Sequence, residues 1–249
     1  MQIKTTKAPS SAFCQIPLYN GRVRNNSTRR SRNRRQVPEV SLREAERGIH
    51  IDLEGFVDQP PSVLGVLIES EFKQWVLDPA LKEAAKAKNL PVTTFVTVIE
   101  LLVDRAKKEN RKIFAYSSHE LTAIRKFTSS EAEVLPLYRD GRKIAKRWFN
   151  TTHYGEPLDG RSLKDFMKFL GDPAPTHFGH MKATKKLKYV RDMLAQRNTY
   201  DALTSTAKRH WTNLLKYNQW DCHALQKLMT KAAKAFPWNS SFTGGVLLK

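Results

Sequence analysis

Residues 48–56, GIHIDLEGF, decide how this chain is read. Apolar and polar side chains alternate through them, and a strand sends residues i and i+2 to the same face. Asp52 and Glu54 therefore present two carboxylates to one place, while Leu53 enters the core. Working outward, PSVLGVLIES (61–70) and EFKQWVLD (71–78) read as two more short strands joined by turns, which predicts a three-strand antiparallel meander. A helix is expected from about Pro91 to Lys108, with Phe95, Val98, Leu101, Leu102 and Arg105 at helical spacing. KIFAYSS (112–118) is short and apolar and reads as a fourth strand, leading into HELTAIRKF (119–127), which has helical period. Strands in a row, then helix, strand and helix, predict an α/β fold with a mixed sheet and flanking helices.

The middle of the chain is patterned less strongly. LYRDGRKIAKRWFN (137–150) sets Leu137, Ile144, Trp148 and Phe149 among five basic residues, as a helix with one apolar and one cationic face would. SLKDFMKFLG (162–171) predicts a short amphipathic helix closed by Gly171 as a left-handed cap. GDPAPTHFGHMKATKKLK (171–188) has two prolines and two glycines and is expected to be largely loop. A last helical region offers Leu214, Leu215, Cys222, Leu225 and Leu228 to the core, and from about Pro237 no period is visible. No internal repeat is present.

At 249 residues the chain suits one large domain with tails. Its apolar fraction is ordinary at 40%, but 43 Lys and Arg face 24 Asp and Glu, leaving a formal +19 and a pI near 10.0. Such a surplus points to a polyanionic partner; nucleic acid is expected, with an anionic membrane surface as the alternative. No run of eighteen apolar residues exists, so nothing is expected to span a bilayer. Cys14 and Cys222, without pairs at metal-ligand spacing, suggest neither a disulfide framework nor a cysteine zinc site, and a reducing cytoplasm is the expected compartment. The first acidic residue is Glu39, and RVRNNSTRRSRNRR (22–35) holds seven arginines with almost nothing that packs. The expected organisation is thus a disordered basic arm over 1–47, a folded domain over 48–235 and a C-terminal tail over 236–249. The arm reads either as a phosphate-tracking element or as a solubilising leader; its composition is also that of a transit peptide, without the amphipathic period of one.

Five blocks, in this order, resemble the ribonuclease H-like exonuclease domain of the DEDD class, YxxxD subclass, of the kind associated with RecB-family nucleases. They are DLEG at 52–55, YSSHELTAI at 116–124, YRDGRKIAKRW at 138–148, SLKDF at 162–166 and YNQWDCHAL at 217–225, so the resemblance spans roughly Gly48 to Ala232. It implies a ribonuclease H-like fold and a metal-dependent nuclease, of 3′–5′ exonuclease type, acting on DNA or RNA. It also implies two magnesium or manganese ions about 3.5–4 Å apart, gripping the attacking and leaving oxygens. The alternative is a protein that keeps the fold and binds nucleic acid without turnover.

The residues can be read beside that resemblance. Tyr217 and Asp221 are one helical turn apart on one face; the resemblance implies that Asp221 ligates metal and that Tyr217 positions the attacking water. Taken alone, a tyrosine and a carboxylate four apart are ordinary helix residues. Related exonucleases usually carry an aspartate early in the helix after the fourth strand, whereas this chain has His119 and Glu120 there. Glutamate is one methylene longer and can still ligate, so Glu120 is assigned as the remaining carboxylate beside Asp52, Glu54 and Asp221. Its plainer role is a helix N-terminal acid capped by Ser117 or Ser118. Asp140 competes with it, as a ligand, a supporting residue or a helix-starting residue, and His119 is a further candidate. Arg142, Lys143, Lys146 and Arg147 near Trp148 form a candidate phosphate-binding patch with a base stacked on the indole, against the reading of a solvated helix face. His223, next to Asp221, is placed at the substrate, in packing or in solvent, the last two being its plainer readings. His177 and His180 have HxxH spacing without a third ligand and are expected to be surface histidines.

Overall fold

The expected meander is β1 (Ile49–Glu54), β2 (Val63–Ile68) and β3 (Glu71–Val76), each antiparallel to the next. On its other side β1 pairs in parallel with β4 (Ile113–Ala115), and β4 in parallel with β5 (Tyr138–Asp140). The result is a five-stranded mixed sheet ordered β3–β2–β1–β4–β5, with β1 in the centre. The computed structural model describes residues 40–176 and 182–235. The fold is α/β. β2 is buried along its whole length, which is why VLGVLI reads as a continuous apolar run and not as an alternation.

The helices in chain order are α1 (Leu42–Arg47), α2 (Lys82–Lys86) after a 3-10 turn at Pro79–Leu81, α3 (Phe95–Lys108), α4 (Ser118–Phe127), α5 (Glu131–Val134), α6 (Gly141–Thr152), α7 (Leu163–Phe169), α8 (Ala183–Arg197) and α9 (Ser205–Lys234). Helix α3 covers one face of the sheet, where Ile49, Ile51, Val66 and Ile68 share a core with Phe95, Val98, Ile99 and Leu102. Of the residues at helical spacing in α3, Phe95, Val98 and Leu102 are buried and Leu101 is 59% exposed. Helix α9 covers the other face. At 30 residues it is about 45 Å long, enough to reach two further cores. One holds α6 and α7 around Trp148, Phe166 and Leu228, and the other holds α8 around Leu187, Val190, Trp211 and Leu214. The Trp211 indole donates to the Ala84 carbonyl at 3.0 Å, and Gln226 donates to the Glu69 carbonyl at 2.8 Å, so α9 is pinned to α2 and to the turn between β2 and β3. Leu214, Leu215, Cys222, Leu225 and Leu228 are all buried, as expected.

Four expectations are corrected. Residues 40–47, assigned to the arm, form α1, whose start is a capping box: Ser41 Oγ accepts from Glu44 N at 3.1 Å and Glu44 Oε2 from Ser41 N at 2.9 Å. Val40 and Ala45 are buried beside Leu225 and Leu228, so a local start signal outweighs the basic composition around it. The 137–150 stretch is not one helix. Its first residues form β5 because β4 offers them an open edge, with Ile113 opposite Tyr138, and α6 begins only after Asp140. The loop expected over 171–188 ends early, since Ala183 onward is α8 with Lys186 and Leu187 buried. The single last helical region is two helices, α8 and α9, separated at Asn198, whose φ of 61° is left-handed. Gly171 has the left-handed φ of 76° that its capping role requires. Residues 1–39, with most of the basic arm, residues 236–249 of the tail, and His177 and His180 lie outside the described residues. Among the described residues, no helix is long and apolar enough to cross a membrane.

A candidate metal centre

Asp52 and Glu54 leave β1 on the face opposite Leu53, toward α9. Asp221 comes from α9, whose buried side is set by Leu214, Asn218, Leu225 and Leu228. One oxygen from each of Asp52, Glu54 and Asp221 lies within 4.8 Å of the others. Tyr217, one turn before Asp221, hydrogen-bonds its carboxylate. Glu120 is in the first turn of α4 and is 7% exposed. It is not one of that close trio. Its Oε2 accepts from Ser117 Oγ at 3.1 Å, while the same hydroxyl caps the helix by accepting from His119 N at 3.2 Å. Glu120 thus fills the plainer helix-start role as well as standing beside the trio.

Burying like charges together has a measurable consequence. Burial first, then repulsion from Glu120, pushes the Asp52 carboxyl from its ordinary 3.8 up to about 7, opposed by a hydrogen bond from Asn218. Burial likewise lifts Glu120 from 4.5 to about 7, against its hydrogen bonds to Ser117 and backbone and with added repulsion from Asp140. Glu54 and Asp221 are raised too, by burial and then by Asp52, with Lys164 pulling both down. Lys186 also lowers Glu54 and is itself 5% exposed on α8. Burial also keeps the Tyr217 phenol protonated well above its ordinary 10.0, and the nearby carboxylates add to it. Hard carboxylate oxygens that repel one another in a half-buried place are a donor set suited to a divalent cation of the magnesium or manganese type. The residues present fit that group.

The other sequence-derived candidates fall elsewhere. Asp140 is the N-cap of α6, accepting from Lys143 N at 2.9 Å, and it influences Glu120 through its charge. His119 is exposed and lines a cleft of about 220 Å³ beside Glu120, together with Phe56, Phe127 and Lys126. Trp148 does not offer a stacking face: it is 1% exposed, its ring packed among Phe149, His153, Phe166 and Phe169. The apolar stripe of α6 faces inward, which leaves Arg142, Lys143 and Lys146 exposed and Arg147 half-buried on the outer side. His223 is exposed on α9, its ring tilted against Phe72 of β3 with centroids 6.0 Å apart.

Three residues near the trio were not found from sequence. Lys164 Nζ stands 4.6 Å from the Tyr217 ring centroid, which puts an exposed ammonium at the side of the site. Lys186 stood in a stretch read as loop. Asn218, wholly buried, donates from Nδ2 to Asp52 Oδ2 at 2.7 Å and to the Asp52 carbonyl at 2.9 Å. A signal for Asn218 did exist. It is a poor helix former one turn before Asp221, in a helix whose other inward residues are apolar. Comparison with protein-family models, curated proteins and solved structures gives no match to this chain.

Proposed function

We propose that this protein is a metal-dependent nuclease that hydrolyses phosphodiester bonds in nucleic acid on a ribonuclease H-like fold. The observation that carries this reading is the meeting of Asp52, Glu54 and Asp221 oxygens within 4.8 Å of one another, from a central strand and a distant helix. The five-stranded mixed sheet with its antiparallel meander agrees with the architecture that the resemblance implies. The formal +19 suits a phosphate-rich substrate.

In this reading Asp52, Glu54 and Asp221 hold magnesium or manganese, with Glu120 completing the set from the α4 side. The bound cations supply Lewis-acid polarisation of a water and of the phosphoryl oxygens. Tyr217, kept neutral, donates a hydrogen bond to Asp221 and retains oxygen lone pairs that can accept from an attacking water and orient it. Lys164 and Lys186 place positive charge beside Glu54, and Lys164, which is exposed, can draw in an anionic phosphate.

A second reading, a nucleic-acid-binding protein without turnover, is favoured by one observation: Glu120 stands outside the close trio and is tied to Ser117. The test is release of nucleotides from labelled oligonucleotides with magnesium or manganese, comparing the protein with Asp52→Ala. Cation-dependent release that the substitution abolishes, with folding preserved, is expected. Equal release by the variant refutes the assignment, and salt-sensitive binding with no release favours the second reading.

A further inference from the structure

Asp52, Gly65 and Gln74 stand in one row across the meander, since Asp52 is paired with Gly65 and Gly65 with Gln74. Gly65 lacks a side chain, so the row has a trough at its centre, and Asn218 of α9 lies in it. A Cβ at position 65 would come within 2.2 Å of Asn218 Oδ1. From this trough the Asn218 amide bridges the two ends of the row. Its Nδ2 donates to Asp52, and its Oδ1 accepts from Gln74 Nε2 at 2.7 Å.

The direction of this chain of bonds is fixed at both ends, since the Asp52 carbonyl, like that of Leu215, can only accept. A side-chain amide keeps its shape when turned over, so something must decide which end donates. The Leu215 carbonyl can only accept, and it takes a hydrogen bond from Gln74 Nε2 at 2.9 Å. That sets the Gln74 NH2 group toward α9. The second hydrogen on the same nitrogen then meets Asn218 Oδ1, which in turn leaves Asn218 Nδ2 facing Asp52. Every polar atom of the Asn218 amide is thereby used, as burial at 0% exposure demands.

We infer that Asn218 and Gln74 are positioning residues of the metal centre. Through the relay Leu215–Gln74–Asn218 they hold one Asp52 oxygen and leave the other to face the cation. This rests on the metal-centre reading of Asp52, Glu54 and Asp221. Partners that orient a metal ligand typically account for about 10–100-fold in metal affinity or activity.

The discriminating substitution is Gln74→Glu, which keeps the size of the side chain but cannot donate from its carboxylate. The added negative charge alone would strengthen cation binding. The relay demands the opposite: the introduced carboxylate draws the Asn218 NH2 to itself, turns the Asn218 oxygen toward Asp52 and weakens the site. Manganese binding to the metal-free full chain, followed by calorimetry, should fall about tenfold or more in Gln74→Glu and about 10–100-fold in Asn218→Ala. In both variants oligonucleotide hydrolysis should return toward the parent rate as manganese is raised, while urea unfolding of the metal-free variants at parental midpoints separates a weakened site from a loss of general stability. Gln74 is half-buried on an edge strand, so Gln74→Glu keeps the test sound if Asn218→Ala does not fold. Unchanged or tighter manganese binding in Gln74→Glu overturns the relay and leaves the metal-centre reading standing. Absence of manganese binding to the parent protein removes that reading and this inference with it.

Discussion

Replacing Asp52 by Asn should stabilise the metal-free protein at pH 8 and do so much less at pH 5. In the fold Asp52 keeps its proton up to about 7, whereas in the unfolded chain a carboxyl loses it near the ordinary 3.8. Between those values the folded state binds more protons than the unfolded one. Stability therefore falls as pH rises through that window and levels off above it. From pH 5 to about 7 roughly 2 units of the window remain, worth at most about 3 kcal/mol at about 1.4 kcal/mol per unit. Asp52 is only partly shielded from water, and screening lowers the figure to an expected gain of about 1–2 kcal/mol for Asp52→Asn at pH 8 relative to pH 5. The Asn oxygen can still accept from Asn218 Nδ2, so the packing around residue 52 is kept. The assay is urea unfolding of both proteins at pH 5 and 8 with a chelator, then with magnesium. Magnesium should stabilise the parent by mass action and leave the variant unchanged. A variant equally destabilised at both pH values would refute the electrostatic argument, because it would mean that Asp52 stabilises the fold by its contacts and not that its charge strains it.

Two further outcomes are expected. Cation affinity should weaken as pH falls from 8 to 6, because Asp52 and Glu120, both raised to about 7, must lose their protons to ligate. The slope below that value is about tenfold per pH unit for each proton released, and calorimetry showing a flat affinity over this range would sink the claim that these carboxyls are raised. Trp148→Ala should cost about 3–5 kcal/mol of stability while leaving the oligonucleotide affinity of the folded fraction unchanged. Weaker binding at parental stability would restore the stacking role that its burial denies.

What was legible in the sequence is what short-range geometry dictates. Asp52 and Glu54 share a face because any strand puts them there, and Tyr217 and Asp221 share one because any helix does. The turns flanking VLGVLI delimit β2 without reference to the rest of the chain. The failures have a common origin in contacts between distant residues. Tyr138–Asp140 is a strand only because Ile113–Ala115 leaves an edge open beside it. Trp148 sits on a helix with one apolar and one cationic face, a pattern that suits a stacking indole as well as one that the core claims, as it does here. Gln74 and Asn218 are separated by 144 positions, and nothing local to either shows that they meet over Gly65. The case of α1 is different, since Ser41 and Glu44 spell a capping box that the surrounding arginines obscured.

Under the proposed reading, charge explains why such a site needs cations and not merely a basic protein around it. The chain as a whole is strongly positive, yet exposed charges are screened beyond about 8–10 Å at moderate ionic strength, so most of that surplus does nothing for buried carboxylates. Lys164 and Lys186 act most on Glu54 among the lysines, and Lys164 acts on Asp221. Against Asp52, Glu54, Glu120 and Asp221 this leaves a negative remainder, which the protein alone relieves by holding protons. A phosphate approaching that pocket adds more negative charge and is repelled; a divalent cation removes both difficulties at once. Cation and phosphate therefore favour each other's binding, while the basic exterior serves to gather nucleic acid near a site that its own carboxylates would otherwise keep closed to it.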